Sequence, residues 1–392
     1  MLKLESVIQK NSIQRILNLP NLLNKKSFFL FGCRGTGKTT LIRNTLSELP
    51  RYDLLSASTF ASLSRRPSLI GEENKNPHVA VVIDEIQKLP QLLDEVHRLI
   101  EERGMRFILT GSSARKLKRG GANLLAGRAW EARLFPLVSD ELGEFDLLRY
   151  LTQGGLPAVW TSNDPWEELR AYVGTYLKEE IMSEALVRRI DTFSAFLELA
   201  ALRCTEEINF EAFGSDLGVS GKTARNFFEV LEDTLIGFLL RPYKKTKLRK
   251  ATSRAKFYLF DLGVTNSLAG RREIPLGTET FGKAFEHFII LELRAYLSYR
   301  RLDLELGFWR TEGGFEVDLT IGSQVAIEIK GSDLVTERHL SGLRALREEK
   351  IFSSLIVVSR DNRMRELDGF LIYPWREFLI KLWNDEILTI NS

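Results

Sequence analysis

Residues 27–45 read SFFLFGCRGTGKTTLIRNT. An apolar run leads into a glycine-rich turn, and a segment with helical character follows. The turn Gly32-Cys33-Arg34-Gly35-Thr36-Gly37-Lys38-Thr39 has the spacing G-x-x-x-x-G-K-[ST]. Glycines at these places let backbone N–H groups wrap a phosphate chain. Lys38 is placed to meet β- and γ-phosphates and the Thr39 hydroxyl to ligate Mg²⁺, while the N-terminus of the next helix adds a favourable dipole. Gly32, Gly35, Thr36, Gly37, Lys38, Thr39 and Thr40 are therefore the candidate ATP-binding residues. Cys33 fills a permissive position of the pattern.

Outward from this turn, HVAVVIDE (78–85) and RFILTGSS (106–113) are near-continuous apolar runs flanking a helical stretch. Such runs fit strands buried on both faces of a parallel sheet. Alternating strands and helices predict a doubly wound α/β domain. The run Val81–Ile83 delivers Asp84 to the metal and places Glu85 to orient and deprotonate an attacking water, which favours hydrolysis over phosphoryl transfer to a substrate. Thr110 or Ser112 would sense the γ-phosphate or the water; a strand-end hydroxyl serving only as a cap is the other reading. Further out, residues 5–24 are expected as a helix ending near Pro20, YDLLSAS (52–58) as a strand, and 61–77 as a loop.

The chain has 392 residues, 44% hydrophobic and 27% charged, with 55 Lys+Arg against 52 Asp+Glu. Length suggests two to three domains. The composition excludes disordered, collagenous and low-complexity classes. No apolar run approaches the ~18 residues of a membrane span, and MLKLESVIQK has no secretion-signal core. Cys33 and Cys204 alone make no disulfide framework. A cytoplasmic protein with no membrane partner is expected. No internal repeat is present.

Residues 27–160 resemble the AAA-type P-loop ATPases of bacteria and archaea that carry a C-terminal nuclease-like domain. The resemblance rests on FGCRGTGKTT, VVIDEIQKLP, ILTGSSARKL, LAGRAWEARLFPL and GGLPAV. It implies an arginine after the sensor strand that reaches a phosphate, in some members in a neighbouring subunit. Arg128 in LAGR matches that position, with a surface arginine as the competing reading. The resemblance also implies a homo-oligomer.

Residues 205–240 carry the layout of a helix-turn-helix: Phe210-Glu211-Ala212-Phe213, a turn at Gly218-Val219-Ser220, then Lys222-Thr223-Ala224-Arg225. Arg241 to Lys256 holds eight basic residues and no acid, where the wing of a winged helix would fall. Phosphate neutralisation is the direct physical use of such a segment. Lys222, Arg225, Lys244, Lys245, Lys247, Arg249 and Lys250 are the candidate DNA contacts; a solvated loop, or helices used for subunit packing, is the alternative.

In the C-terminal third, Val317, Leu319 and Ile321 alternate with Glu316, Asp318 and Thr320. After Gly322-Ser323-Gln324, Val325, Ile327 and Ile329 alternate with Ala326, Glu328 and Lys330. A three-residue hairpin loop would pair Ile321 with Val325, setting Asp318 opposite Glu328 and Glu316 opposite Lys330. Cross-strand neighbours lie ~5 Å apart. This is the D…E-x-K arrangement of restriction-endonuclease-like folds, with Asp318 and Glu328 holding Mg²⁺ and Lys330 acting on the attacking water or the developing charge. The resemblance adds Glu286, on the preceding helix, as a further acid. A charged sheet edge with a cross-strand ion pair is the structural alternative.

The expected architecture is α/β throughout: an AAA-type P-loop domain with a parallel sheet over 1–140, a helical lid and winged-helix unit over 141–270, and a mixed α/β nuclease-like domain over 271–392. The expected function is ATP hydrolysis, with ATP and Mg²⁺, coupled to a domain acting on DNA; the alternative is a non-cutting, ATP-dependent DNA-binding switch or remodelling motor.

Overall fold

The computed structural model describes residues 13–112, 125, 127–177 and 190–389. The chain folds around two sheets. The first is five-stranded: β1 (Ser27–Phe31), β2 (Arg51–Asp53), β3 (Val81–Asp84), β4 (Phe107–Gly111) and β5 (Ala129–Arg133), in the order β2-β3-β4-β1-β5. Each neighbouring pair runs parallel. β1, β3 and β4 are buried along their whole length, as their apolar runs require.

The phosphate-binding turn sits at the C-terminal edge of β1. It feeds α2 (Lys38–Thr45) from Gly37, whose φ of 94° is left-handed. Gly32 is required for a different reason: a Cβ there would lie 2.5 Å from the Leu134 carbonyl oxygen.

Three local expectations fail. Residues 13–18 are not helical, and the N-terminal helix α1 (Leu19–Lys25) starts at Asn18, whose side chain caps it. Pro20 lies in the first turn, where its missing N–H costs nothing, so it opens the helix rather than ending it. Residues 5–12 lie outside the described residues. Strand β2 stops at Asp53, because Ser56 caps α3 (Ala57–Arg65). The stretch 61–77 holds the end of α3 and the short α4 (Leu69–Glu73) rather than a loop; Leu63 and Ile70 are buried, and that apolar anchorage outweighs the polar composition.

Helix α5 (Leu92–Arg103) joins β3 to β4, and a helical unit follows the first sheet: α6 (Leu147–Gln153), α7 (Pro157–Thr161), α8 (Pro165–Ala171), a π-helical turn at Tyr172–Leu177 and α9 (Ile190–Leu202). Helices α10 (Phe210–Asp216) and α11 (Gly221–Asp233) meet at Gly218, φ 64°. The antiparallel hairpin of β6 (Gly237–Pro242) and β7 (Lys256–Leu259) comes next.

That hairpin belongs to the second sheet. Strand β6 pairs in parallel with β8 (Leu306–Arg310), so the sheet begins before residue 271. It also holds β9 (Glu316–Ile321), β10 (Val325–Lys330), β11 (Ser354–Ser359), β12 (Arg365–Leu367) and β13 (Phe370–Pro374), in the order β12-β13-β11-β10-β9-β8-β6-β7. Helices α13 (Glu279–Tyr299) and α15 (Trp375–Trp383) cover one face with Phe285, Phe288 and Trp375. Helix α14 (Ser341–Glu349) covers the other with Leu343 and Leu346. Helix α12 (Leu262–Leu268) links β7 to this part. No helix among the described residues is long and apolar enough to cross a membrane.

Candidate functional sites

Lys38, 7% exposed, folds back onto its own turn and donates to the Gly32 carbonyl at 2.6 Å and that of Cys33 at 3.2 Å. Thr39 Oγ1 lies 3.2 Å from Asp84 Oδ2. Thr110 donates to Asp84 Oδ1 and accepts from the Glu85 amide at 3.0 Å. The structure thus brings together Lys38, Thr39, Asp84, Glu85 and Thr110. Glu85 has φ 61°, a strained value for a non-glycine residue that turns the chain out of β3 at the acid itself.

Two members of this site were given no role in the sequence, although Gln87 falls inside VVIDEIQKLP. Gln87 donates to the Glu85 carboxylate and to Ser112 Oγ at 3.1 Å, so it orients Glu85 and ties in Ser112. Arg51 forms an ion pair with Asp84. The Arg51–Asp84 pair and the Gln87–Ser112 bond depend on long-range pairing that no local motif records.

The turn is also gripped from outside its sheet. Arg15 donates to the Thr36 carbonyl at 2.7 Å and the Phe135 carbonyl at 2.6 Å, and its Nε meets Glu141 at 2.9 Å. The Tyr172 hydroxyl donates to the Arg34 carbonyl at 3.0 Å. Cys33 Sγ donates to the Leu235 carbonyl at 3.0 Å, so this position is less permissive than the pattern implies. A cavity of about 780 Å³ opens beside Gly37 and Thr40, lined by Ile13, Arg15, Leu41 and Pro157 among others.

Arg128 lies elsewhere. Its neighbour Ala129 pairs with Ser27, the first residue of β1, whereas the turn follows the last; that separates them by four residues of strand, roughly 13 Å. Arg128 forms an ion pair with Glu101 instead.

The second cluster lies on the β9–β10 hairpin. The pairs Val325↔Ile321, Ala326↔Thr320 and Ile327↔Leu319 are in the anticipated register. Asp318 Oδ2 then accepts from the Ile329 amide at 2.7 Å, taking a backbone donor at the end of the ladder. Lys330 Nζ lies 2.6 Å from Glu328 and 3.5 Å from Asp318.

Glu316 departs from the expected pairing. Its partners are Lys256 at 2.7 Å and Arg310 at 3.4 Å rather than Lys330; the β9–β10 pairing ends at Leu319↔Ile327, short of Glu316, and Arg310 is its neighbour on β8. Glu286 does join the cluster: it accepts from Lys256 at 3.1 Å and from Tyr258 at 2.6 Å.

Burial and the neighbouring Asp318 push the Glu328 carboxyl up to about 8, with Lys330 pulling the other way. Burial disfavours the Lys330 ammonium, but Asp318 and Glu328 more than offset it and its pKa is raised. Glu328 Oε2 is buried with no partner. Among the described residues, no group of three or more His, Cys, Asp or Glu is arranged to hold a metal ion; the acids here are interleaved with lysines.

The basic segment is only partly available to a ligand. Lys256 is 4% exposed and belongs to the carboxylate cluster. The Glu349 carboxylate accepts from the Lys247, Leu248 and Arg249 amides at 2.7–3.0 Å, docking the loop on α14. Arg249 pairs with Glu348, and Lys250 with Glu312 at 2.7 Å. Lys244, Lys245 and Lys247 are exposed, as are Lys222 and Arg225 on α11; Arg225 stacks over Phe210 at 4.8 Å.

Comparison with known proteins agrees with the first site. Residues 24–143 match the model of the AAA domain family. Residues 144–274 match a domain of unknown function (DUF8612), and 281–378 match another (DUF4143). An uncharacterized protein of Mycobacterium tuberculosis is 25% identical over 382 residues, covering 93% of this chain and 81% of its own length. An uncharacterized protein of Methanocaldococcus jannaschii is 24% identical over 339 residues, covering 76% and 73%.

Among solved structures, a Signal Transduction ATPase with Numerous Domains protein with a tetratricopeptide repeat sensor, from Pyrococcus horikoshii, matches at 15% identity and a TM-score of 0.26. The match covers 75% of this chain and 48% of that one. The match to the AAA domain family is thus confined to the stretch that holds the first site, and the two stretches after it match domains of unknown function.

Proposed function

We propose that this protein hydrolyses ATP at the P-loop and uses the cycle to control a C-terminal domain that handles DNA. The observation that carries the reading is the chain of contacts from Thr39 through Asp84 to Thr110 and Glu85 beside the glycine turn. Thr39 and Asp84 offer hard oxygen donors to one point, which suits Mg²⁺; bound there, the ion would neutralise charge on the β- and γ-phosphates. Lys38 would exchange its two carbonyl partners for phosphate oxygens. Glu85, oriented by Gln87, would align the attacking water and take its proton, and the cavity beside Gly37 would take the nucleoside. Arg128, at the far edge of the sheet, would act on the nucleotide of a second copy in a homo-oligomer.

ATP binding and hydrolysis measured on the full chain test this directly. Lys38→Ala, with its fold checked by circular dichroism, is expected to lose about a hundredfold or more in turnover. Equal turnover in the variant means the hydrolysis arises elsewhere.

DNA as the partner rests on the exposed Lys222, Arg225, Lys244, Lys245 and Lys247 together with the helix-turn-helix and hairpin order. Arg249 and Lys250 would join only if they left Glu348 and Glu312. Cleavage of DNA by the hairpin cluster is favoured by Asp318, Glu328 and Lys330 standing together on the hairpin, with Glu328 Oε2 left without a hydrogen-bond partner. Binding without cleavage is favoured by Lys256, which ties up Glu286. Lys330→Ala separates the two: Mg²⁺-dependent cutting of linear, branched or single-stranded DNA disappears while ATPase stays at the wild-type level. If the wild type cuts none of these forms, the domain binds only.

A further inference from the structure

Asp84 carries one partner more than phosphate binding calls for. Arg51 opens β2, and its guanidinium lies against Asp84 Oδ2, the oxygen that Thr39 also approaches. Oδ1 is taken by Thr110. Both carboxylate oxygens are therefore engaged, and the one beside Thr39 is covered by a cation. The pair is enclosed, with the Asp84 side chain 4% exposed and that of Arg51 19%.

The seat is also incomplete: Arg51 Nε is buried with no hydrogen-bond partner. A settled arginine–carboxylate pair commonly uses two parallel donors, and a buried orphan donor costs free energy. The register accounts for the reach, since Arg51 lies across from Val82 and Asp53 across from Asp84. The arginine extends along the sheet edge to an acid that is not its direct neighbour.

We infer that Arg51 is a resident counter-ion for Asp84, which Mg²⁺ must displace to reach that carboxylate. This rests on the ATP-binding reading above. The physics is competition between two cations for one buried acid. Without Arg51, Asp84 would be a buried anion beside a hydroxyl, costly to leave unpaired, and would take Mg²⁺ whether or not nucleotide was present. With Arg51 in place, metal enters readily only when nucleotide phosphates supply further oxygen ligands. Arg51 is thus a positioning residue that sets the order of loading.

The test uses the full chain and N-methylanthraniloyl-ADP as a fluorescent probe, titrated with Mg²⁺, together with thermal unfolding in MgCl₂ alone. In Arg51→Gln, the Mg²⁺ concentration at half-saturation is expected to fall by about tenfold or more. Mg²⁺ alone should raise the unfolding temperature of the variant but not of the wild type. Arg51→Lys keeps a cation on a shorter reach, is expected to lie between the two, and serves if the glutamine variant fails to fold. A magnesium requirement that is unchanged or higher in the variants, with the probe bound normally, overturns the role of Arg51 alone. If the wild type binds the probe neither with nor without Mg²⁺, the ATP-binding reading fails and this inference with it.

Discussion

Glu85→Gln will bind ATP with wild-type affinity and hydrolyse it about 10²–10⁴ times more slowly. The substitution keeps the size of the side chain and removes only its ability to accept a proton. The site is built to make that loss visible. Gln87 holds the carboxylate in place, and the Glu85 amide is fixed on Thr110, whose hydroxyl reaches Asp84. Position, charge and backbone are set by separate partners, so the variant should lose proton transfer without losing the shape of the loop. Single-turnover hydrolysis beside equilibrium binding of a fluorescent ATP analogue checks it. Weakened binding with a normal rate would assign Glu85 to ligand contact instead of water activation.

The largest stability effect is expected far from the nucleotide. Lys256→Ala should destabilise the protein by about 3–5 kcal/mol, the range for removing one partner of a buried ion pair. Lys256 is 4% exposed and serves Glu286 and Glu316 together. Burial works against its ammonium, but Glu286, Asp318 and Glu316 hold its pKa well above the usual value. Removing it leaves Glu286 facing Asp318 with the nearest compensating charge gone. Pairing the change with Glu286→Gln should recover part of the loss, because the acid that lacks a partner is then neutral. Urea unfolding of the two variants and the wild type measures both quantities. A loss under about 1 kcal/mol, the scale of exposed pairs, would mean that water reaches these acids.

The P-loop and its acid-tipped strand were legible because each is contiguous: one turn, one apolar run, two acids. The hairpin register was legible for the same reason, since alternation and a three-residue loop constrain it within ten residues of chain. What escaped is long-range. Arg51 sits 33 residues before its partner Asp84, and Arg15 sits 126 before the Glu141 that fixes it. No periodicity links such pairs.

The basic segment is less free than its own residues suggest. Eight cations without an acid read as a surface for phosphates, yet the compensating acids come from elsewhere: Glu348 and Glu349 on α14, Glu312 on the β8–β9 turn, Glu286 on α13. Local charge balance is a poor guide when the neutralising partner belongs to another element. Glu316 shows the limit of alternation itself, since the β9–β10 pairing ends before it and its partner Lys256 comes from β7.

The carbonyls of the phosphate-binding turn are held by Arg15 and by Tyr172, and its cysteine by Leu235. None of these three residues falls within 24–143. The stretch is consequently a poor cassette for grafting or for expression alone: excised, it would keep its parallel strands while its grip relaxed. Swapping the following segments among relatives would carry the same penalty, so the units must be inherited together.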